Sequence, residues 1–494
     1  MMGRQPKPQQ KLFYERVRLD QRIRSDHVLR QIATHIDFDF IYQEVRDRYG
    51  SNGNVSVPPP VILKMMLLLI LYNVRSEREL LATIPERLDW LWFLGFDLDS
   101  EIPNHSVLSK ARTRWGAEAF KLFFERIVLQ CVEAGLVDGR KLFMDSCLVQ
   151  ADASNTSVVN TQTLKVQLDK GYRELQARLD EPEQPEAVNR THVSTTDPDA
   201  STVRRGAGGS RLQYQVHRAV DEHCEVITAT EVSTGSVHEA HRMDSLLDGH
   251  ARNTGVAAEV CVADSKYGTM DNYLRCHDRG VRSHFASLEH GQRGSGRQAG
   301  ILPKESFRYE ASTDSFICPA GRRLTRRRFN AQRQQWEYTA ASKTCSHCSL
   351  RPQCTRSRSG RSLKRHLRQE ALDQMLLQSQ SLQGRADRKQ RQHLMERSFA
   401  RGTRYGIKRA RWRRLWRVAI QEYLTATIQN VMVLVRYLKE PLRAVPRRLG
   451  RVEDRSRPVA QGIGRQLVVK AAGWLSLLWT ARPFPNRFVF GNSI

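Results

Sequence analysis

Apolar side chains in the first quarter of the chain recur at helical spacing: Leu29, Ile32, Ile36 and Phe40, then Ile62, Met65, Met66 and Leu69, then Phe120, Phe123, Phe124, Ile127 and Val128. The pattern predicts an all-helical block over residues 13–136. Pro58-Pro59-Pro60 marks a helix entry, because the first-turn N–H groups that proline lacks have no intrahelical acceptor. Asp99-Ser100-Glu101-Ile102-Pro103-Asn104 makes a turn before a short helix from His105-Ser106 that carries Lys110, Arg112 and Arg114. Short helices joined by tight turns, one of them basic, fit a DNA-reading helix-turn-helix arrangement and equally a plain helical bundle.

The period changes at Lys141. KLFMDSCLVQ alternates Leu142, Met144 and Leu148 against Phe143, Asp145, Cys147 and Val149, as a mostly buried strand does, and it places Asp145 at its middle. Residues 153–209 are polar and read as an insert, with a helix around 164–179 and the turn-prone TTDPDAS. Strands over 212–220 and 225–232 form an antiparallel hairpin about Asp221-Glu222-His223-Cys224. A helix over 237–247 then leads into a strand over 257–263, with Asp264 at its end. The order strand, strand, strand, helix, strand, with an acid on the first strand and another closing the fourth, is the ribonuclease-H-like arrangement. An α/β class with a mixed sheet follows. Its first part covers 141–290, a basic cysteine-containing insert covers 291–368, and a C-terminal helical part covers 369–440. Met395 and Phe399 lie one turn apart there, and Trp412, Trp416, Ile420, Leu424 and Ile428 continue an apolar stripe. Residues 441–494 form a tail whose basic stretch suits phosphate.

Charge narrows the partners. Lys and Arg total 79 against 52 Asp and Glu, a formal net charge of +27, so the 494-residue chain attracts polyanions, nucleic acid first and anionic lipid second. The longest apolar stretch, Val61 to Val74, is broken by Lys64 and falls short of the roughly 18 to 20 residues a membrane span needs. MMGRQPKPQQK has no apolar signal region, and a cytoplasmic location is expected. Five of nine cysteines are scattered, as reduced thiols are.

Asp145 inside an apolar strand carries a desolvation penalty that a cation or hydrogen bonds must offset; a structural acid met by backbone donors fits the pattern too. Asp264 at a strand end also reads as a helix cap, and Glu396, beside Arg391 and Arg397, as a solvated ion pair. Cys318, Cys345, Cys348 and Cys354 can supply the four soft ligands of a tetrahedral zinc or remain unligated thiols, with His347 nearby. Arg322-Arg323 and Arg326-Arg327-Arg328, interleaved with Phe329, Trp336 and Tyr338, suit contact with DNA or serve as a solubilising rim.

Taken together, the chain from about Phe13 to Leu438 resembles transposases of bacterial insertion sequences with a DDE catalytic domain. The matching segments are IPNHSVLSKAR, LFMDSCLVQADAS, STTDPDAS with LQYQVHRAVD, VADSKYGTMDNYLRC, MERSFARG and the IQNVMVL that contains Asn430. The third acid's segment matches most loosely. The resemblance implies an N-terminal DNA-binding domain and catalytic acids at Asp145, Asp264 and Glu396. These would hold two Mg²⁺ or Mn²⁺ ions for cleavage at transposon ends and strand transfer into target DNA. It also implies recognition of terminal inverted repeats in double-stranded DNA, at least a dimer in the working complex, and a zinc-binding cysteine knot between the second and third acids. The rivals are a nuclease on the same fold, a transposase whose catalysis has decayed into DNA binding, and a zinc-dependent regulator.

Overall fold

The computed structural model describes residues 2–4, 18–51, 55–161, 191–204, 209–286 and 300–439. The expected helix around 164–179 and the tail after residue 440 lie outside them. Residues 1–440 form one compact unit.

The N-terminal part is helical, as its spacing requires: α1 (Val28–His35), α2 (Pro59–Leu71), α3 (Glu77–Thr83), α4 (Leu88–Leu94), α5 (Ser106–Trp115) and α6 (Glu118–Glu133). Pro59 sits in the first turn of α2, and Ser76 caps α3 by accepting from Glu79 N at 3.2 Å. Lys64, the one charge on the otherwise apolar α2, is placed over the Phe38 and Phe93 rings at 5.4 Å from each centroid. Burial lowers the pKa of its ammonium, with Asp39 opposing the shift.

A mixed sheet follows, built from β1 (Lys141–Gln150), β2 (Arg211–Asp221), β3 (Ile227–Thr234), β4 (Val260–Val262) and β5 (Arg282–His284). Across the sheet the order is β3-β2-β1-β4-β5, and the short strand Ser201–Val203 extends the outer edge of β2. The β1–β2 and β2–β3 pairs are antiparallel, while β1–β4 and β4–β5 are parallel. Helices α7 (Met243–Thr254), α8 (Met270–Asp278) and α9 (Gln369–Gln380) cover one face, packing on Leu142, Met144 and Cys261. Helices α10 (Leu382–Arg404) and α11 (Leu415–Lys439) cover the other, packing on Phe143, Val149 and Val262. The alternation read in β1 thus separates two apolar faces, and β4 is shorter than its expected seven residues.

Between α8 and α9 a second sheet forms from β6 (Arg308–Glu310), β7 (Ser315–Ile317), β8 (Arg323–Asn330), β9 (Gln335–Thr339) and β10 (Ser362–His366). It is antiparallel throughout, in chain order, around Phe307, Phe316, Leu324, Tyr338 and Leu363.

Helix α11 binds these parts together. Its Ile420, Leu424, Ile428, Val431 and Leu434 share one core with α1, α2, α4 and α6. By length and composition α11 passes as a membrane span, but its apolar face is mostly buried in the protein. Arg112 marks the same junction. It is buried, pairs with Glu77, and stacks 4.1 Å from the Trp412 ring, whose Nε1 donates to Glu77 at 3.1 Å. Of the three basic residues expected to face DNA on α5, Arg112 therefore turns inward; Lys110 and Arg114 stay exposed.

Candidate active site

Asp145 and Asp264 meet because of strand register. Phe143 pairs with Val262 across the parallel β1–β4 ladder, and two residues further along each strand stand the two aspartates, on the face covered by α10. Asp264 lies just past the end of β4 and accepts from Lys266 N at 2.9 Å, capping the turn Ser265–Tyr267. A third acid joins them. Glu239 opens a single helical turn after β3, positioned by His238, whose Nδ1 accepts from Ala240 N at 3.3 Å. Ligand oxygens of Asp145, Glu239 and Asp264 all lie within 4.8 Å of one another.

Three carboxylates this close repel one another, and two side-chain cations lie among them. Arg391 Nη1 donates to Asp145 Oδ2 at 2.6 Å, and Lys266 Nζ donates to Glu239 Oε1. Burial pushes the Asp145 carboxyl above the ordinary carboxylate range; Arg391 and the Ser146 N–H pull it back, and Asp264 and Glu239 add to the rise. The Tyr267 hydroxyl is fully buried beside the group and has no hydrogen-bond partner. Burial, followed by the charges of Glu239, Asp145 and Asp264, holds it far from ionising. An all-oxygen donor set with an unused hydroxyl behind it fits a hard divalent cation.

Glu396 is not in this group. Leu394, Met395 and Phe399 turn toward the core, so Glu396 faces solvent and accepts from Gln392 Nε2 at 3.2 Å. From α10 it is Arg391 that reaches the acids. His217 feels the charge of Glu239: its Nε2 meets Ser233 Oγ at 2.8 Å, its Nδ1 has no partner, and burial lowers its pKa to about 4 against the pull of Glu239. It is therefore neutral at physiological pH.

The segments flanking the acids act as braces. Asp197 Oδ1 accepts from Tyr214 Oη at 2.7 Å and from Arg414 N at 3.0 Å, and Asp199 Oδ2 accepts from Leu415 N at 2.8 Å, so the TDPD acids cap the start of α11. Asn430 clamps the start of β3, accepting from Ile227 N at 2.9 Å and donating to Ile227 O at 2.8 Å. Arg218, the cross-strand neighbour of Asp145, is fully buried and forks onto Glu422 at 2.7 and 2.9 Å.

In the second sheet Cys318, Cys345, Cys348 and Cys354 line one cavity of about 30 Å³. Arg322 N donates to Cys318 Sγ at 3.3 Å. Among the described residues the three acids are the one group of three metal-ligating side chains within 4.8 Å of one another. Tyr338, expected to face DNA, is buried and bonded to Asp314, while Arg327 and Arg328 remain exposed and Arg326 stacks 4.2 Å from the Trp336 ring.

Two family models match the chain: a Transposase domain (DUF772) over residues 17–114 and a Transposase DDE domain over residues 317–435. Both describe proteins that move DNA, which makes the chain a transposase by class. The two matches together are consistent with a DDE transposase of an insertion sequence. No curated protein matches its sequence.

Proposed function

We propose that this chain cuts DNA at the ends of a mobile element and joins them to target DNA, on a ribonuclease-H-like core, with Asp145, Asp264 and Glu239 holding two Mg²⁺ or Mn²⁺ ions. The observation that carries the reading is the convergence of the three carboxylates within 4.8 Å, beside the inner strands of a sheet in which three antiparallel strands are followed by two parallel ones. Bound there, such ions would lower the pKa of water and neutralise the leaving oxygen. The chain's own residues set the geometry. The β1–β4 register fixes the aspartates, and the His238 cap fixes Glu239. In cleavage a water oxygen attacks phosphorus, its proton leaves to solvent, and the P–O3′ bond breaks to free a 3′-OH. In joining, that 3′-OH attacks a target phosphodiester and displaces the target's own 3′ oxygen.

Glu396, the third acid implied by family resemblance, stands on the outer flank of the helix that supplies Arg391, and would need a changed α10 to reach the metals. The exposed arginines of β8 and the positive net charge favour double-stranded DNA, the terminal inverted repeats and target, as partner, acted on in the cytoplasm. Two ends held together call for two copies. The four cysteines, lining one cavity with one sulfur accepting a backbone N–H, would hold a structural Zn²⁺. The test is Mg²⁺-dependent cleavage and joining of labelled DNA carrying the element's ends. Joined products support a transposase over a nuclease, and binding without cutting shows a decayed enzyme.

A further inference from the structure

Two arginines beside Asp145 are used in opposite ways. Arg218 is saturated: Nε and Nη2 donate to Glu422, and Nη1 to Ser398 O and Oγ at 3.2 and 3.3 Å. Arg391 is not. Among the described residues its one hydrogen bond is to Asp145 Oδ2, and its Nε is buried with no acceptor. A guanidinium has five N–H donors arranged to grip an oxyanion in pairs. The donors of Arg391 that Asp145 does not use are available to an incoming oxyanion.

The oxygen it holds is the one a cation needs. Asp145 Oδ1 already accepts from Ser146 N at 2.8 Å, which leaves Oδ2 as the oxygen free of backbone bonds. We propose that Arg391 and a divalent cation compete for Asp145 Oδ2, and that a DNA phosphate relieves the competition by drawing the guanidinium to itself. Arg391 is then a phosphate-binding residue that Asp145 holds until substrate arrives, and metal loading is coupled to DNA binding. The inference rests on the reading of the three acids as a metal site. Linkage makes the coupling reciprocal: DNA that removes Arg391 from Asp145 tightens the metal by the same factor that the metal tightens DNA. A charge-assisted hydrogen bond corresponds to roughly a tenfold change in an equilibrium, which sets the size of the effect.

The experiment is Mn²⁺ binding to the full chain, followed by electron paramagnetic resonance with and without a short DNA duplex of arbitrary sequence, for the unaltered chain, Arg391→Met and Asp145→Asn. The unaltered chain is expected to bind Mn²⁺ roughly tenfold tighter with duplex than without. Arg391→Met should bind as tightly without duplex as the unaltered chain does with it, and gain little on adding it. If Arg391→Met binds Mn²⁺ without duplex no better than the unaltered chain, or worse, the competition is refuted and Arg391 merely orients Asp145. Asp145→Asn separates the two levels: loss of Mn²⁺ binding upholds the metal site whatever Arg391 does, and retention overturns the site reading itself.

Discussion

Substituting Glu422→Gln should be among the most damaging single changes near the site without touching the acids. Glu422 and Arg218 are 1% and 0% exposed, and their two bonds at 2.7 and 2.9 Å are joined by Thr230 Oγ1, which donates to Glu422 Oε1 at 2.8 Å. The pair ties β2 and β3 to α11, and through Ser398 to α10, directly beneath Asp145. Removing one partner leaves a guanidinium charge deep in the core, which costs about 3–5 kcal/mol. In urea titration followed by circular dichroism, that loss lowers the unfolding midpoint by roughly 1 M or more. Replacing both residues by methionine should recover much of the loss, since no charge is then left alone. A Glu422→Gln protein within about 1 kcal/mol of the unaltered one would refute the account of this pair.

Other substitutions test other joints. Arg112→Ala should cost about 3–5 kcal/mol, because it strips Glu77 of its buried partner and leaves the Trp412 ring uncovered, whereas exposed Lys110→Ala should change stability by less than about 0.5 kcal/mol; urea titration compares them. Asp387 is buried, which pushes its carboxyl up, yet His284 and Lys141, at 2.7 and 3.2 Å, hold it below the ordinary range. Its contribution is complete above the unfolded carboxylate pKa and is lost as pH falls through the folded value, so Asp387→Asn should destabilise at neutral pH and differ less and less from the unaltered chain as pH falls below the ordinary carboxylate range. A destabilisation as large in acid as at neutral pH would contradict this. If the cysteines hold zinc, purified protein should contain about one zinc per chain by elemental analysis, and Cys345→Ser should lose it; metal-free protein with an unchanged melting profile would exclude the ion.

Much of the core was legible because both faces of its central strand are apolar. KLFMDSCLVQ read as a mostly buried strand, and the hairpin after it followed from two β-rich runs about a turn. Strand β5 was not legible: three residues, Arg282 to His284, are too few to show a period, and only the sheet edge gives them their form. Arg112 looked like any surface base, since the ring that buries it lies 300 positions away in sequence. The TDPD acids and Asn430 were visible as motifs, but their partners, the first N–H groups of α11 and the backbone of Ile227, are set by tertiary packing.

The site itself was partly readable. The two aspartates stand where their strands place them. Glu239 carried only a weak signal, an acid between two histidine-containing steps where a strand gives way to a helix. The orientation of α10 was within reach, because apolar Leu394, Met395 and Phe399 define the inner face, and Arg391 lies three and four residues before the first two of them. Glu396 falls outside that face by the same geometry.

The most direct test of the acid group is Mg²⁺-dependent cleavage of DNA bearing the element's ends by Asp145→Asn, Asp264→Asn, Glu239→Gln and Glu396→Gln, each first shown to fold and to bind DNA. The first three should lose cleavage while Glu396→Gln keeps a substantial part of it. Cleavage that survives Glu239→Gln and disappears with Glu396→Gln would contradict the assignment and move the third metal ligand to α10.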